Sequence, residues 1–399
     1  MAWFPASGQG GSNYSMFGIG DIFHGVGASY NGLAGTQTAF PSDNSINTRN
    51  PAMWSLVTTT RLQTGYLFNQ HLVREDANEL WQNNGQVNKI LGLFSIDTSM
   101  GISVSFGIHP YSTVNYLVTR PITAQVEGIT VNGRTIYQGA GGLSLAYLGG
   151  AFELIDGLSV GAAMFATFGR IDRMTLTQFY KSSEYDQIFD YELDKRDFFS
   201  GFGWRVGIYY QTPVGLSIGA FFENHPDISA ERDEIHYSSL QRDTVFKSDI
   251  DMIIPDYYGF GLGYRTGKFI AGADLSFQDF SSFDYSPGSD TKFNGSMKLS
   301  AGVQRIGNRS SNARFLDRIG YKFGAGYNQL YYELDGNQIS EYFGSFGAEI
   351  PLGSDSFIDA AIMIGRRGTT DDDLILEYFG RFSIDISIGD NWFQPYRRY

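Results

Sequence analysis

The stretch FGRFSIDISIGDNWF, Phe379–Phe393, lies almost at the end of the chain and splits into two unlike halves when read one residue in two. With the residues just before it, Leu374, Leu376, Tyr378, Phe382, Ile384, Ile386 and Ile388 share one parity, interrupted by Gly380. Glu377, Arg381, Ser383, Asp385 and Ser387 share most of the other. A period of two belongs to a β-strand, whose successive side chains point to opposite faces. A strand that is greasy on one face and charged on the other separates two solvents.

The same alternation recurs upstream. Leu216, Ile218 and Phe222 alternate with Ser217, Gly219 and Glu223, and Phe269, Leu275 and Phe277 stand against Asp274 and Ser276. Phe202, Trp204, Val206, Ile208 and Tyr210 stand against Arg205 and Gln211. Many of these segments outrun soluble strands and reach the roughly 9–11 residues that a tilted strand needs to cross hydrocarbon. Tight turns such as Asp97–Gly101, Ile155–Leu158, Thr212–Gly215 and Arg265–Lys268 alternate with longer polar links such as Tyr180–Asp197 and Ser229–Asp249. Short turns at one end and long loops at the other predict an all-β fold, a transmembrane antiparallel β-barrel of the outer-membrane type with about 14 strands. The first two strands are expected over 55–69 and 87–96, the eleventh over 315–333 and the last over 374–390. The outward face is expected to meet lipid and the inward face an enclosed interior. Arg205, Glu223, Asp274, Lys298, Glu349, Glu377, Arg381 and Asp385 are expected there as internal ion pairs, because buried charges need partners.

Composition supports this reading and excludes others. With 49 Gly, 32 Phe and 25 Tyr, the chain is rich in residues that suit pleated surfaces and tight turns. A net charge of -13 removes the basic face that nucleic acid requires. No apolar run of about 18 residues is present, so no transmembrane helix is expected. There is no cysteine, hence no disulfide and no thiolate chemistry. The five histidines, His24, His71, His109, His225 and His236, fall at no metal-ligand spacing, and nothing selects a catalytic group. The expectation is a protein that is not an enzyme and holds no cofactor or metal. The segment Met1–Gly11 has no basic stretch followed by an apolar run, so export would use a signal peptide outside this sequence.

The first fifty residues do not alternate. They are rich in Gly, Ser and Asn and too long for a structureless loop. A barrel of about 14 strands is wider than the eight whose side chains alone fill the interior. The layout expected is therefore a hatch over 1–54 inside the lumen, a barrel over 55–393 and a periplasmic tail over 394–399.

NPAMW, Asn50–Trp54, resembles the Asn-Pro-Ala motif that closes the hatch in the long-chain fatty-acid transporter family, FadL-like proteins with toluene-channel relatives. FGIGDIFHGVGASYNGLAG (17–35), SFGIHPYSTVNY (105–116), YQGAGGLSLAYLGG (137–150) and the terminal NWF are similar to a distant branch of that family. The resemblance implies a hatch-plugged barrel of the cell outer membrane that takes up hydrophobic, fatty-acid-like molecules passively. It implies lumenal binding at the hatch and lateral exit beside a kinked third strand. On that basis Phe17, Ile19, Ile22, Phe23, Val26, Ile108 and Tyr111 are candidate ligand-binding residues, and Asn50, Pro51 and Ala52 form the hatch motif. Pro110, set mid-strand where it cannot donate to a ladder, marks a lateral gate with His109. The partners implied are a hydrophobic small molecule or lipid and the outer-membrane lipids themselves. The alternative is a barrel component of a protein secretion system, binding cargo or partner subunits through its acidic outer loops.

Overall fold

The computed structural model describes residues 8–25, 27–75, 78–126, 129–180, 190–238, 241–285, 291–310, 312–353, 355–370 and 374–392. Among these, one sheet of eighteen strands closes on itself. Two short strands, β1 (Gly8–Gln9) and β2 (Asp21–Ile22), belong to the N-terminal segment. The wall begins with β3 (Thr60–Glu75), β4 (Asn78–Asp97), β5 (Ile102–Pro110), β6 (Ser112–Val126), β7 (Ile129–Ile155) and β8 (Leu158–Phe179). It continues with β9 (Tyr191–Gln211), β10 (Leu216–Ser238), β11 (Gln241–Thr266), β12 (Phe269–Asp279), β13 (Thr291–Phe293) and β14 (Gly295–Arg305). β15 (Gly320–Leu334), β16 (Asn337–Pro351), β17 (Phe357–Arg367) and β18 (Leu376–Asp390) complete it. β5 and β6 are two halves of the third wall strand, and β13 and β14 two pieces of the tenth, so the wall has fourteen strands. β18 closes on β3 antiparallel, from Leu376 opposite Arg74 to Asp390 opposite Thr60.

The parity of the C-terminal stretch holds. Tyr378, Phe382, Ile386 and Ile388 are exposed on the outer wall, whereas Glu377, Ser383, Asp385 and Ser387 are fully buried inside. The lipid face of β9 carries Phe202, Trp204, Val206, Ile208 and Tyr210, as the alternation requires. The wall strands run longer than hydrophobicity alone indicates. The segment Ser229–Asp249, read as a polar loop, is instead the top of a hairpin, β10–β11. At roughly 3.3 Å per residue its 23- and 26-residue arms exceed twice the length that crosses hydrocarbon. Polar alternation above the membrane resembles loop composition, which is why that boundary was missed. In the same way the stretch between the first two expected strands is mostly strand, β3 running to Glu75 and β4 starting at Asn78. Conversely, residues 315–318 form a short helix in the link before β15 and do not start that strand.

Prolines also depart from expectation. Besides Pro110, strands contain Pro121, Pro226 and Pro255. Pro226 and Pro255 sit where the β9–β10–β11 ladders shift register, which releases them from the donor role they cannot fill.

Inside the wall, residues from Gly10 to Val57 fold almost without regular structure. They form two 3-10 turns, Asn13–Met16 and Pro51–Leu56, and one turn of helix, Ala28–Asn31. Nearly all are buried, including Ile19, Tyr30, Leu33, Phe40, Ile46 and Trp54. The first wall strand starts at Thr60. Phe393 and residues 394–399 lie outside the described residues.

The two faces give a direct test. Phe382→Arg, in the middle of β18 on the lipid side, should lower folding stability in phospholipid vesicles by about 2–4 kcal/mol, read by urea titration. Ser229→Arg, on the outer hairpin, should change it by less than about 1 kcal/mol.

Candidate functional site

A buried irregular segment must find partners for its backbone N–H and C=O groups outside itself. Here the inward carboxylates of the wall supply many of them. Glu377 accepts from Asn13 N at 2.7 Å and from Ser12 Oγ at 2.6 Å. Asp385 accepts from Ala28 N at 2.6 Å, and Asp274 from Gln37 N and Thr38 N at 2.6 and 2.7 Å. The remaining charge is met by cations. Lys89 pairs with Asp385 at 2.7 Å, and Lys322 bonds Asp359 and the hatch's Ser29 Oγ, each at 2.7 Å. Arg367 binds Glu341 and the hatch's Asp21. Arg205 and the hatch's Arg49 converge on Glu223, and His225 Nε2 lies 2.8 Å from the same carboxylate. Of the eight lumenal charges named from sequence, seven join such contacts. Lys298 does not.

Asn50 caps the 3-10 turn, its Oδ1 accepting from Ala52 N, and its Nδ2 donates to Thr38 O and Ile208 O. The turn lies on the inner face of β8 and β9. An added Cβ at Gly207 would stand 2.0 Å from Asn50 Oδ1, and one at Gly161 2.5 Å from the Pro51 carbonyl carbon. Both wall glycines are there to let the Asn-Pro-Ala backbone approach.

The third wall strand is interrupted between β5 and β6. β5 pairs with β4 as far as Ile108 opposite Ile90. Continuing that register would set Pro110 opposite Asn88. Tyr111 N donates to Leu143 O on the β7 side, and N–H groups alternate in direction along a strand, so those of even-numbered residues point toward β4. Position 110 therefore faces β4 with no N–H to give. Asn88 is itself the extra residue at a register shift between β3 and β4. Both lips fail at one point, and beyond it β6 pairs with β7 but not with β4.

The hatch fills the breach from within. Ile22 and Asp21 pair with Ser112 and Thr113 of β6, Gly11 N donates to Asn115 O, and Phe23 N to Tyr111 O. On the other lip Gly8 and Gln9 pair in parallel with Gln82 and Asn83 of β4. A lateral cavity of about 400 Å³ remains at the seam. It is lined by outward residues Val87, Ile90 and Ile108 and by inward residues Lys89, His109 and Ser112.

The candidate residues separate into groups. Pro110, His109 and Ile108 come together at the seam. Ile108 is half exposed on the outer face, because its even parity turns it away from the lumen. Ile19 and Tyr111 are buried core residues; Tyr111 packs on His225 and its hydroxyl accepts from Gln278 Nε2. Phe17 packs on Tyr332. Ile22 and Phe23 border a second, lumenal cavity of about 80 Å³ between hatch and wall. Val26 lies outside the described residues. In the hatch, burial together with the charges of Lys298 and Arg49 holds His24 well below the usual imidazole range, so it is neutral there. Sequence reasoning did not find Asn88, Gln82 or Asn115. Their role comes from a failed register, and no local pattern marks it.

Removing one partner of a buried cluster leaves an uncompensated charge. Glu223→Gln should therefore destabilise the barrel by about 3–5 kcal/mol and expose Thr36–Trp54 to hydrogen exchange. Glu234→Gln, on the exposed hairpin, should leave both unchanged.

The fold matches known structures. A Pseudomonas aeruginosa FadL homologue superposes with a TM-score of 0.63 at 12% identity, covering 93% of this chain and 99% of that one. The Ralstonia pickettii toluene transporter TbuX gives 0.61 at 14%, covering 92% and 98%. The Pseudomonas putida toluene transporter TodX gives 0.60 at 14%, covering 93% and 100%. At such identities the likeness is one of fold, that of an outer-membrane β-barrel. No curated protein matches the chain in sequence. The family described as BamG matches residues 2–399, and the protein belongs to that family.

Proposed function

We propose that this barrel passes small hydrophobic, fatty-acid-like molecules from the hatch region sideways into the outer membrane through the seam between β4 and β6. One observation carries the reading: the ladder is interrupted where Pro110 and Asn88 meet, and a cavity lined by both outward and inward residues lies there. A water-filled pore would help an apolar solute little. A lateral route delivers it directly from a protein cavity to lipid. Ile22 and Phe23 on the hatch side and Val87, Ile90 and Ile108 on the wall supply apolar surface along such a path. The structures of similar fold named above include toluene transporters, which supports the solute class.

A second reading, a barrel component of a secretion system that binds partner proteins, is favoured by the tall β9–β11 hairpins. They present Val245 and Phe246, both more than half exposed, among acidic side chains. The hatch's many buried anchors also suit a fixed scaffold.

The discriminating experiment compares uptake of a labelled apolar solute into vesicles carrying the wild type or Pro110→Val. Restoring a donor at position 110 should close the seam and slow uptake about tenfold, equivalent to roughly 1.4 kcal/mol. Equal uptake by a correctly folded variant would remove the lateral route. Stoichiometric co-purification with other outer-membrane subunits, lost on replacing Val245 and Phe246 by Ser, would establish the second reading.

A further inference from the structure

The lumenal cavity differs in kind from the seam. It is lined by amides, six of them asparagines: Asn31, Asn69, Asn84, Asn88, Asn115 and Asn328. A space built to hold a hydrocarbon chain would present aliphatic and aromatic surface with few polar groups. Here six apolar side chains, Ile22, Phe23, Leu67, Leu330, Phe343 and Met363, are outnumbered by hydrogen-bonding and charged ones, the carboxylates Asp21 and Glu341 among them.

Two features show that these groups are incomplete without a ligand. The first is a set of acceptors. Asn69, Asn88 and Asn328 are each more than nine-tenths buried, and each has a side-chain oxygen with no hydrogen-bond partner. Two of the amide nitrogens do not share this fate: Asn69 Nδ2 donates to Asn84 Oδ1 at 3.0 Å, and Asn328 Nδ2 to Glu341 Oε2 at 3.0 Å. Buried polar atoms left unmade cost stability, and clusters of them in one cavity point to donors that arrive from outside.

The second is a cation. Lys298, on β14, joins no ion pair or hydrogen bond among the described residues; its Nζ lies 5.8 Å over the ring of Phe343. The other lumenal cations each have a carboxylate or a carbonyl within bonding distance, whereas Lys298 feels the charges of Asp274 and Glu341 without bonding either. Asp274 gives its Oδ2 to Gln37 and Thr38 of the hatch and leaves its Oδ1 unpartnered. An enclosed ammonium with no bonded counter-ion is open to an incoming anion.

We propose that this cavity is a binding site for a small hydroxylated anion, a hydroxy-carboxylate or phosphate ester of a polyol. Its charge meets Lys298 and its hydroxyl groups donate to the side-chain oxygens of Asn69, Asn88 and Asn328. The cavity, about 80 Å³, holds the equivalent of roughly five to eight waters, which fits a head group and not an alkyl chain. The same chemistry is found in free glycerol phosphates and in the head groups of glycerophospholipids. The site is independent of passage through the seam, since occupancy can be read whether or not anything is transported.

The test is calorimetric titration of the full chain in neutral detergent and phosphate-free buffer. The probes are D-glycerate, glycerol 3-phosphate and short-chain phosphatidylglycerol, with hexanoate and glycerol as controls. The expected result is binding of at least one hydroxylated anion, and about tenfold or more weaker binding of hexanoate, which lacks the hydroxyl groups, and of glycerol, which lacks the charge. Lys298→Met should weaken the anion by about tenfold or more. Lys298→Gln serves the same purpose if the first variant does not fold. Binding of phosphatidylglycerol alone assigns the source to lipid, and binding of the free anions assigns it to solute. No binding of any hydroxylated anion, equal binding of hexanoate, or undiminished binding by a folded Lys298 variant overturns the proposal.

Discussion

Everything in this protein depends on how backbone polar groups are satisfied inside a closed sheet. The wall satisfies most of its own N–H and C=O groups in its ladders, closing β18 onto β3, and its third strand leaves two lips unpaired with each other. The hatch cannot do so, because almost none of it is helix or strand. Wall carboxylates at Glu377, Asp385 and Asp274 therefore act as acceptors for hatch N–H groups; Lys89 pairs with Asp385, and Arg205, Arg367 and Lys322 pair with Glu223, Glu341 and Asp359. A carboxylate that accepts backbone bonds and faces a cation is stable in an enclosed site, where a lone one is not. The charged parity of the wall strands is thus the receptor for the hatch.

The same constraint explains the seam. Where Pro110 removes a donor and Asn88 adds a residue, two lips of unpaired backbone are left. An open pair of lips in lipid would be costly, since no water is there to bond them. The hatch contributes short pairings to each, with β6 through Asp21–Ile22 and with β4 through Gly8–Gln9. The breach and its filling are one structural feature. A molecule crossing there would pass between chain segments joined by a few hydrogen bonds, with the full ladder of the wall left intact on either side.

The two cavities sit on opposite sides of this arrangement and differ in chemistry. The lateral one mixes outward aliphatic residues with inward polar ones, as any opening through an amphipathic wall must. The lumenal one is rich in asparagines and contains Lys298, which has no salt bridge among the described residues. Apolar candidates in the hatch were chosen because a greasy ligand calls for greasy residues. The structure spends most of them on packing, Ile19 and Tyr111 in the core and Phe17 against Tyr332.

By itself the sequence determined the period, and with it the barrel, the number of wall strands and which face of each meets oil. Those properties are local: Phe382 and Asp385 differ in parity whatever else the chain does. It also determined that charges such as Glu223 and Arg205 had to be paired, because the interior they face is closed. Only the tertiary structure decided which partners they took, that the Ser229–Asp249 segment rises as a hairpin, and that Asn88 lies across from Pro110. A register is a relation between strands that no single strand encodes, so the place where it fails can be seen only once both strands are set side by side.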